Sequence, residues 1–128
     1  MDLILPDTNM LILGLADQQQ YGEILKAWII KNRLVFSPIV VAEFLIGANL
    51  QVAQNFNQLV QQFPVLPIDL ETAKIAAHIR KTSFKKKKKL ILPDCLIAAQ
   101  CKIHNLTLAT LNPKDFPKTT KLFTLPKV

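Results

Sequence analysis

The sequence has no apolar run of about eighteen residues, the length that a membrane-spanning helix needs. Half of the 128 residues are nevertheless hydrophobic, so the chain can bury a sizeable core. We therefore expect a single domain over residues 1–128, with no membrane partner. The N-terminal residues also lack the basic start of a secretory signal, which favours a cytoplasmic protein.

Cysteine is scarce, and the two cysteines, Cys95 and Cys101, lie on different faces of one predicted helix. A disulfide between them is therefore not expected, and a reducing cytoplasm is the default. Together with His104 they do not match the spacing of a structural zinc site. We interpret both as small thiols of the core.

Acidic residues are also few, since nine Asp and Glu stand against sixteen Lys and Arg, for a net charge of +7. This balance favours an anionic partner. Eight of the sixteen basic residues lie between Lys74 and Lys89, and five of these form the run Lys85 to Lys89. The run fits either a solvated loop or a strip that contacts phosphates without reading sequence.

Four acids stand where extended segments change to helical ones, each in or beside an apolar stretch: Asp7, Glu43, Asp94 and Asp115. Burying a carboxylate is unfavourable unless it is paired, hydrogen-bonded or bound to a cation. The simplest purpose that the four share is to hold a divalent metal, and carboxylate oxygens suit Mg²⁺ or Mn²⁺. Such ions stabilise the in-line displacement at a phosphodiester.

Each acid also has a plain structural interpretation. Asp7 and Asp94 fit helix caps, and Asp115 fits a turn. Glu43 shares its predicted helix face with apolar residues, so it is expected to face the core and to need a basic partner such as Arg80.

Short apolar segments alternate with amphipathic ones along the chain. Strands are predicted at 2–6, 33–36, 64–68, 106–109 and, less clearly, 121–125. Helices are predicted at 8–15, 21–29, 37–49 and 52–63. A fifth helix is predicted after Asp69, and its inward face is formed by Ala73, Ala76, Ala77 and Ile79. A sixth helix is predicted to begin at Pro93. This alternation predicts an α/β fold with a parallel sheet covered on both faces. Ligands bind outside the carboxyl ends of such strands, where the four acids can converge.

The residues beside the acids form four motifs that span almost the whole chain. They read D-T-N at 7–9, V-V-A-E-F at 40–44, P-D-C-L-I-A-A at 93–99 and T-L-N-P-K-D-F at 110–116. In this order and spacing they resemble the PIN domain family, and specifically the VapC-like toxin ribonucleases of type II toxin–antitoxin systems. The resemblance implies a three-layer α/β/α sandwich with a central, mainly parallel sheet.

The resemblance also implies a function and a set of site residues. In that family the acids hold Mg²⁺ or Mn²⁺ and cleave RNA, which implies catalytic metal ligands at Asp7, Glu43, Asp94 and Asp115. It further implies supporting roles for Thr8, Asn9, Thr110 and Asn112, and RNA contacts for Lys85, Lys86, Lys87, Lys88 and Lys89. The implied partners are RNA, a cognate antitoxin whose peptide enters the acidic groove, and a second copy that pairs around Phe44, Leu45 and Phe56.

Two features depart from the family's pattern. Leu111 and Asn112 stand where many relatives have an acid, so Asp115 supplies the fourth carboxylate or it is missing. The lysine run stands where many relatives have a less basic loop. A non-catalytic PIN-fold RNA-binding module is therefore the alternative function. A phospho-acceptor receiver domain is disfavoured, because the first strand is not followed by paired acids.

Overall fold

The computed structural model describes residues 2–127, in which strands at the two ends of the chain enclose a series of helices. The strands are β1 (Ile4–Pro6) and β2 (Thr107–Ala109). The helices are α1 (Thr8–Leu15), α2 (Tyr21–Ile30), α3 (Pro38–Ile46), α4 (Leu50–Val60), α5 (Leu70–Ser83) and α6 (Leu92–His104), followed by a 3-10 helix at Pro113–Asp115.

The sheet is parallel throughout. β1 pairs with β2, with Ile4 opposite Thr107. Isolated parallel bridges extend the sheet on both sides, joining Ile4 to Leu34, Phe36 to Val65 and Leu108 to Leu122. Across the sheet, the extended segments thus lie in this order: residue 65, residues 34–36, β1, β2 and residue 122. The chain order reverses between β1 and β2, and a ligand crevice is expected beyond the carboxyl ends of strands at such a reversal.

The predicted α/β class is confirmed, but the sheet is smaller than expected. The segments predicted as strands at 33–36, 64–68 and 121–125 are extended chain that meets the sheet through single bridges. Few backbone hydrogen bonds connect these segments. For example, the amide of Phe36 donates to the carbonyl of Pro64 at 2.9 Å, and the carbonyl of Phe36 accepts from the amide of Leu66 at 2.9 Å. The helix predicted to reach residue 49 ends at Ile46, where Gly47 is the C-cap.

The starts of α3 and α5 follow the predicted capping residues, whereas α6 begins at Leu92, so Asp94 lies in its first turn and does not cap it. Ser37 accepts a hydrogen bond from the amide of Ile39, with Pro38 in the first turn of α3. Asp69 accepts from the amide and the hydroxyl of Thr72 at 2.9 and 2.7 Å, and these bonds lower its pKa. α3 and α6 carry Glu43 and Asp94, so the position at which each begins fixes where these carboxylates lie.

The aromatic core corrects the expected dimer contact. Phe44 and Phe56 are 5% and 0% exposed and stack on each other with ring centroids 4.0 Å apart. The Phe36 ring lies edge-on to Phe56 at 6.0 Å. Leu45 is half-buried against the same core. These residues therefore stabilise the monomer instead of forming a free surface for a second copy.

Two predictions concern the helices that flank the lysine run. On α5, Ala76 is buried and Ile79 half-buried, but Ala73 and Ala77 are exposed, so that inner face was partly wrong. Thr72 and Ser83 are buried in their place. On α6 the predicted inward residues are confirmed as buried: Ile97, Ala98 and Cys101.

Both cysteines are free and buried, as predicted, and burial raises the pKa of the Cys101 thiol to about 12. The longest helix among residues 2–127 has 14 residues, and none of the described helices has the length and apolar character to cross a membrane.

Close packing of α1 on α2 depends on Gly14. A Cβ there would lie 2.9 Å from Leu25 Cδ2 and 3.1 Å from Leu25 Cβ. We expect Gly14→Ala to lower the free energy of unfolding by roughly 1–2 kcal/mol, because overpacking outweighs the better helix propensity of alanine. Urea unfolding measures this. Gly47→Ala is the control, since nothing lies within 4 Å of its added methyl group; equal effects of the two substitutions would contradict the packing argument.

Candidate active site

Asp7 lies at the reversal of the sheet. Its amide donates to the carbonyl of Ala109 at 2.8 Å, which joins the ends of β1 and β2. Its side chain caps α1, because Oδ1 accepts from the amide of Thr8 at 2.8 Å. The Thr110 hydroxyl donates to Oδ2 at 3.0 Å. Both carboxylate oxygens are thus oriented by neighbours before any ligand arrives.

Thr110 connects three parts of the site. It is 5% exposed, and besides donating to Asp7 its hydroxyl accepts from the amide of Asn112 at 3.0 Å. The turn after β2 is therefore held against the end of β1. Asn112 takes part through its backbone, and its side chain is exposed.

Glu43 is exposed, so the expectation of a core-facing carboxylate was wrong. Val40 and Phe44 take the buried positions of α3. Instead of a basic partner, Glu43 has the hydroxyl of Thr8, which donates to its Oε1 at 3.0 Å. Arg80 is engaged elsewhere, since its Nη1 donates to the carbonyl of Leu90 at 2.7 Å.

Asp94, in the first turn of α6, is the electrostatic centre of the cluster. Burial raises the pKa of its carboxyl to about 6, and the negative charges of Asp7, Asp115 and Glu43 add to the rise, in that order. Burial likewise raises the pKa of Asp7, against the hydrogen bonds from Thr8 and Thr110. Three of the predicted acids therefore lie close enough to repel the fourth.

Asp115 closes the cluster from the 3-10 helix, where it is paired with a lysine of the run. Lys88 Nζ lies 2.5 Å from Asp115 Oδ1, with the two side chains 58% and 37% exposed. A small cleft of about 100 Å³ lies beside this pair, lined by Lys88, Lys89, Leu90, Ile91, Asp94 and Asp115.

The structure thus brings the four predicted acids together with Thr8 and Thr110. Asn9 is exposed, and among the described residues Asp7 accepts no hydrogen bond from it. The lysine run is an exposed loop between α5 and α6. The pairing of Lys88 with Asp115 was missed, because the two are 27 residues apart and no sequence pattern links them.

The donor set suits a hard divalent cation, which takes oxygen ligands. Within residues 2–127, however, no three acidic, histidine or cysteine side chains are arranged closely enough to hold one ion. Asp115 faces Lys88, and Glu43 faces Thr8. The side chains therefore suit a metal ion, because their oxygens are suitable ligands and a cation would relieve their mutual repulsion. They would have to reorient to bind it.

The raised pKa of Asp94 predicts a pH-dependent stability. A carboxyl whose pKa is higher in the folded than in the unfolded state, here about 6 against 3.8, destabilises the fold increasingly as the pH rises between those values. In EDTA at pH 7 we expect Asp94→Asn to stabilise the protein by about 1 kcal/mol, after allowing for solvent screening of this half-exposed group. Thermal unfolding across pH measures the difference, which should vanish below pH ~4; a destabilised variant at pH 7 would contradict the repulsion.

Comparisons with known proteins agree with this geometry. The family model described as PIN domain matches residues 4–122. Ribonuclease VapC of Rickettsia bellii (strain RML369-C) is 32% identical over 105 residues, covering 76% of this chain and 78% of the relative. Ribonuclease VapC1 of Rickettsia felis (strain ATCC VR-1525 / URRWXCal2) is 33% identical over 101 residues, covering 73% and 75%.

Solved structures give the same result. A chain of a toxin–antitoxin complex from Klebsiella pneumoniae superposes with a TM-score of 0.81 at 27% identity, covering 98% of this chain and 99% of that one. The match spans both strands, all six helices named above and the acidic motifs. The chain therefore belongs to the PIN domain family, among the VapC ribonucleases.

Proposed function

We propose that this protein is a VapC-type toxin, a metal-dependent endoribonuclease that hydrolyses RNA phosphodiester bonds. Its relatives are named ribonucleases. The observation that carries the metal dependence is the gathering of carboxylate charge around Asp94, whose pKa is raised first by burial and then by the charges of three other acids. Such a cluster is unfavourable in a folded protein unless a cation offsets it.

Asp7, Glu43, Asp94 and Asp115 would supply the oxygen ligands of Mg²⁺ or Mn²⁺. When bound, such an ion lowers the pKa of its water and neutralises charge on the phosphate. Asp115 can take part only by releasing Lys88, to which it is now paired. This exchange replaces the single positive charge of Lys88 beside Asp115 with the double charge of the metal ion, which offsets more of the repulsion among the acids.

Thr8 and Thr110 act as positioning residues for the cluster. Each donates its hydroxyl to a carboxylate, Thr8 to Glu43 and Thr110 to Asp7, at 3.0 Å in both cases. Carboxylates that are held in one orientation lose less entropy on binding a cation and substrate. The site is therefore supported from both β1 and β2.

RNA is the substrate that the surface charge favours. The exposed loop Lys85–Lys89 borders the acidic cleft, and lysines at such a position attract phosphates without reading bases. The lysines hold the anionic chain close to carboxylates that would otherwise repel it.

We further propose a cognate antitoxin and a homodimer, both in a reducing cytoplasm. The solved relative from Klebsiella pneumoniae is a toxin–antitoxin complex. Because Phe44 and Phe56 are buried, a second copy would use exposed apolar neighbours, Ile12, Ile46 and Leu50. The antitoxin would insert a peptide into the acidic groove and block metal or RNA.

A non-catalytic RNA-binding module is the second candidate. The ion pair between Lys88 and Asp115 favours it, since a lysine already neutralises the fourth carboxylate. Such a protein would bind RNA through the same loop but would not cut it.

The two functions differ in cleavage. We expect Asp7→Asn and Asp94→Asn each to reduce Mg²⁺- or Mn²⁺-dependent cleavage of a pool of structured RNAs by about 10²-fold or more, because each removes a charge that holds the metal. Glu71→Gln, an exposed carboxylate on α5, is the matched control and should cut normally. Cleavage retained by Asp94→Asn would reject the assigned site. No cleavage by the unmodified protein, with RNA still bound, would favour the binding module.

Thr110 gives a separate test of positioning. Thr110→Val keeps the shape but removes the bond to Asp7 and leaves the amide of Asn112 without its acceptor. We expect kcat to fall roughly 10-fold with little change in KM, and the free energy of unfolding to fall by about 1–3 kcal/mol. Thr110→Ser should restore both. If serine failed to restore kcat, the hydroxyl would not be the positioning group.

A further inference from the structure

A large pocket lies beside the acidic cluster and shares Lys86 to Lys88 with the loop to which RNA contacts were assigned above. Its volume is about 670 Å³, within the range of sites that bury small ligands. Five lysines line it, and no acidic residue is among its lining residues in the described part of the chain: Lys86, Lys87, Lys88, Lys114 and Lys118. We call it the lysine pocket.

The floor of the lysine pocket is apolar. Leu90, Phe116 and Leu122 line it together with two prolines. Leu122 is 43% exposed, whereas Leu90 and Phe116 are 9% and 4% exposed. A rim of positive charge around an apolar floor suits a ligand that is both anionic and flat, as a nucleotide is.

The lysine pocket adjoins the acidic cleft. Lys88 and Leu90 line both, and the cleft also contains Asp94 and Asp115. A phosphodiester chain that lies across the acids therefore has one neighbouring nucleotide at the mouth of the lysine pocket. Lys114 and Asp115 are adjacent in the 3-10 helix, so one short element contributes to both sites.

We propose that the lysine pocket binds one unstacked nucleotide of single-stranded RNA beside the bond that is cut. The base rests on the floor formed by Leu90, Phe116 and Leu122, and the flanking phosphates contact the lysines. This proposal rests on the proposed nuclease function, because that function is what places the RNA chain across the acids. The proposal itself concerns only RNA binding.

Binding of labelled eight-nucleotide oligoadenylate in EDTA tests the charged rim, by fluorescence anisotropy over a series of salt concentrations. Lys114→Ala/Lys118→Ala should weaken binding about 5- to 10-fold at low salt and reduce the slope of log K against log salt by ~1.4, for two lost phosphate contacts on a single strand. The matched control is Lys26→Ala/Lys31→Ala, which removes the same charge from exposed positions at α2. Equal losses in the two double variants would overturn the proposal.

The apolar floor is tested by comparing oligoadenylate with an abasic strand of the same length. The unmodified protein should bind oligoadenylate about 10-fold more tightly, as expected for one base held on an apolar platform. Leu122→Asn should remove that preference, and Ile30→Asn, an 82% exposed apolar position on α2, should keep it. A preference that survives Leu122→Asn would overturn the proposal.

These results are separable from the nuclease test. A protein that shows both pocket effects in EDTA but never cuts RNA with Mg²⁺ or Mn²⁺ would lack the proposed activity and keep the pocket. A protein that cuts normally with lysine-pocket variants unchanged in binding would keep the activity and lose the pocket.

Discussion

The hydrogen bond from the amide of Asp7 to the carbonyl of Ala109 joins two strands that stand at opposite ends of the chain. It sets the carboxylate of Asp7 beside Thr110 at the point where the strand order reverses. Each of the two strands has only three residues, so the sheet offers few other bonds to fix that position. Glu43 and Asp94 are then delivered by α3 and α6, which pack on each other. The position of Asp7, the first of the four acids, follows from this junction.

The second constraint is electrostatic, and it opposes the first. Folding brings together carboxylates whose charges raise the pKa of Asp94, in a chain that otherwise carries an excess of positive charge. Lys88 offsets part of this repulsion through Asp115. Proteins commonly retain such locally unfavourable arrangements at functional sites and compensate for them elsewhere. Here the compensation comes from the aromatic cluster of Phe36, Phe44 and Phe56 and from the side-chain caps of α3 and α5.

Sequence reasoning succeeded where the signal is local. Ser37 and Asp69 cap the predicted helices, because capping depends on near neighbours. Asp7, Asp94 and Asp115 fall at element boundaries as expected, whereas Glu43 lies inside α3. It failed on the facing of Glu43, since α3 reads P-I-V-V-A-E-F-L-I and is apolar on every side, so periodicity defines no inner face. The same ambiguity placed Phe44 on the surface. The pairing of Lys88 with Asp115 depends on how two loops meet, which no local pattern encodes.

The junction of β1 with β2 also determines how late in synthesis and folding the acidic site can form. Asp7 and Thr110 are separated by 103 residues, so neither can orient the other until nearly the whole chain has been synthesised. Pairings between such distant segments form late in folding, because the loop between them must close first. A growing chain on the ribosome therefore carries the first acid long before it has the residues that complete the cluster.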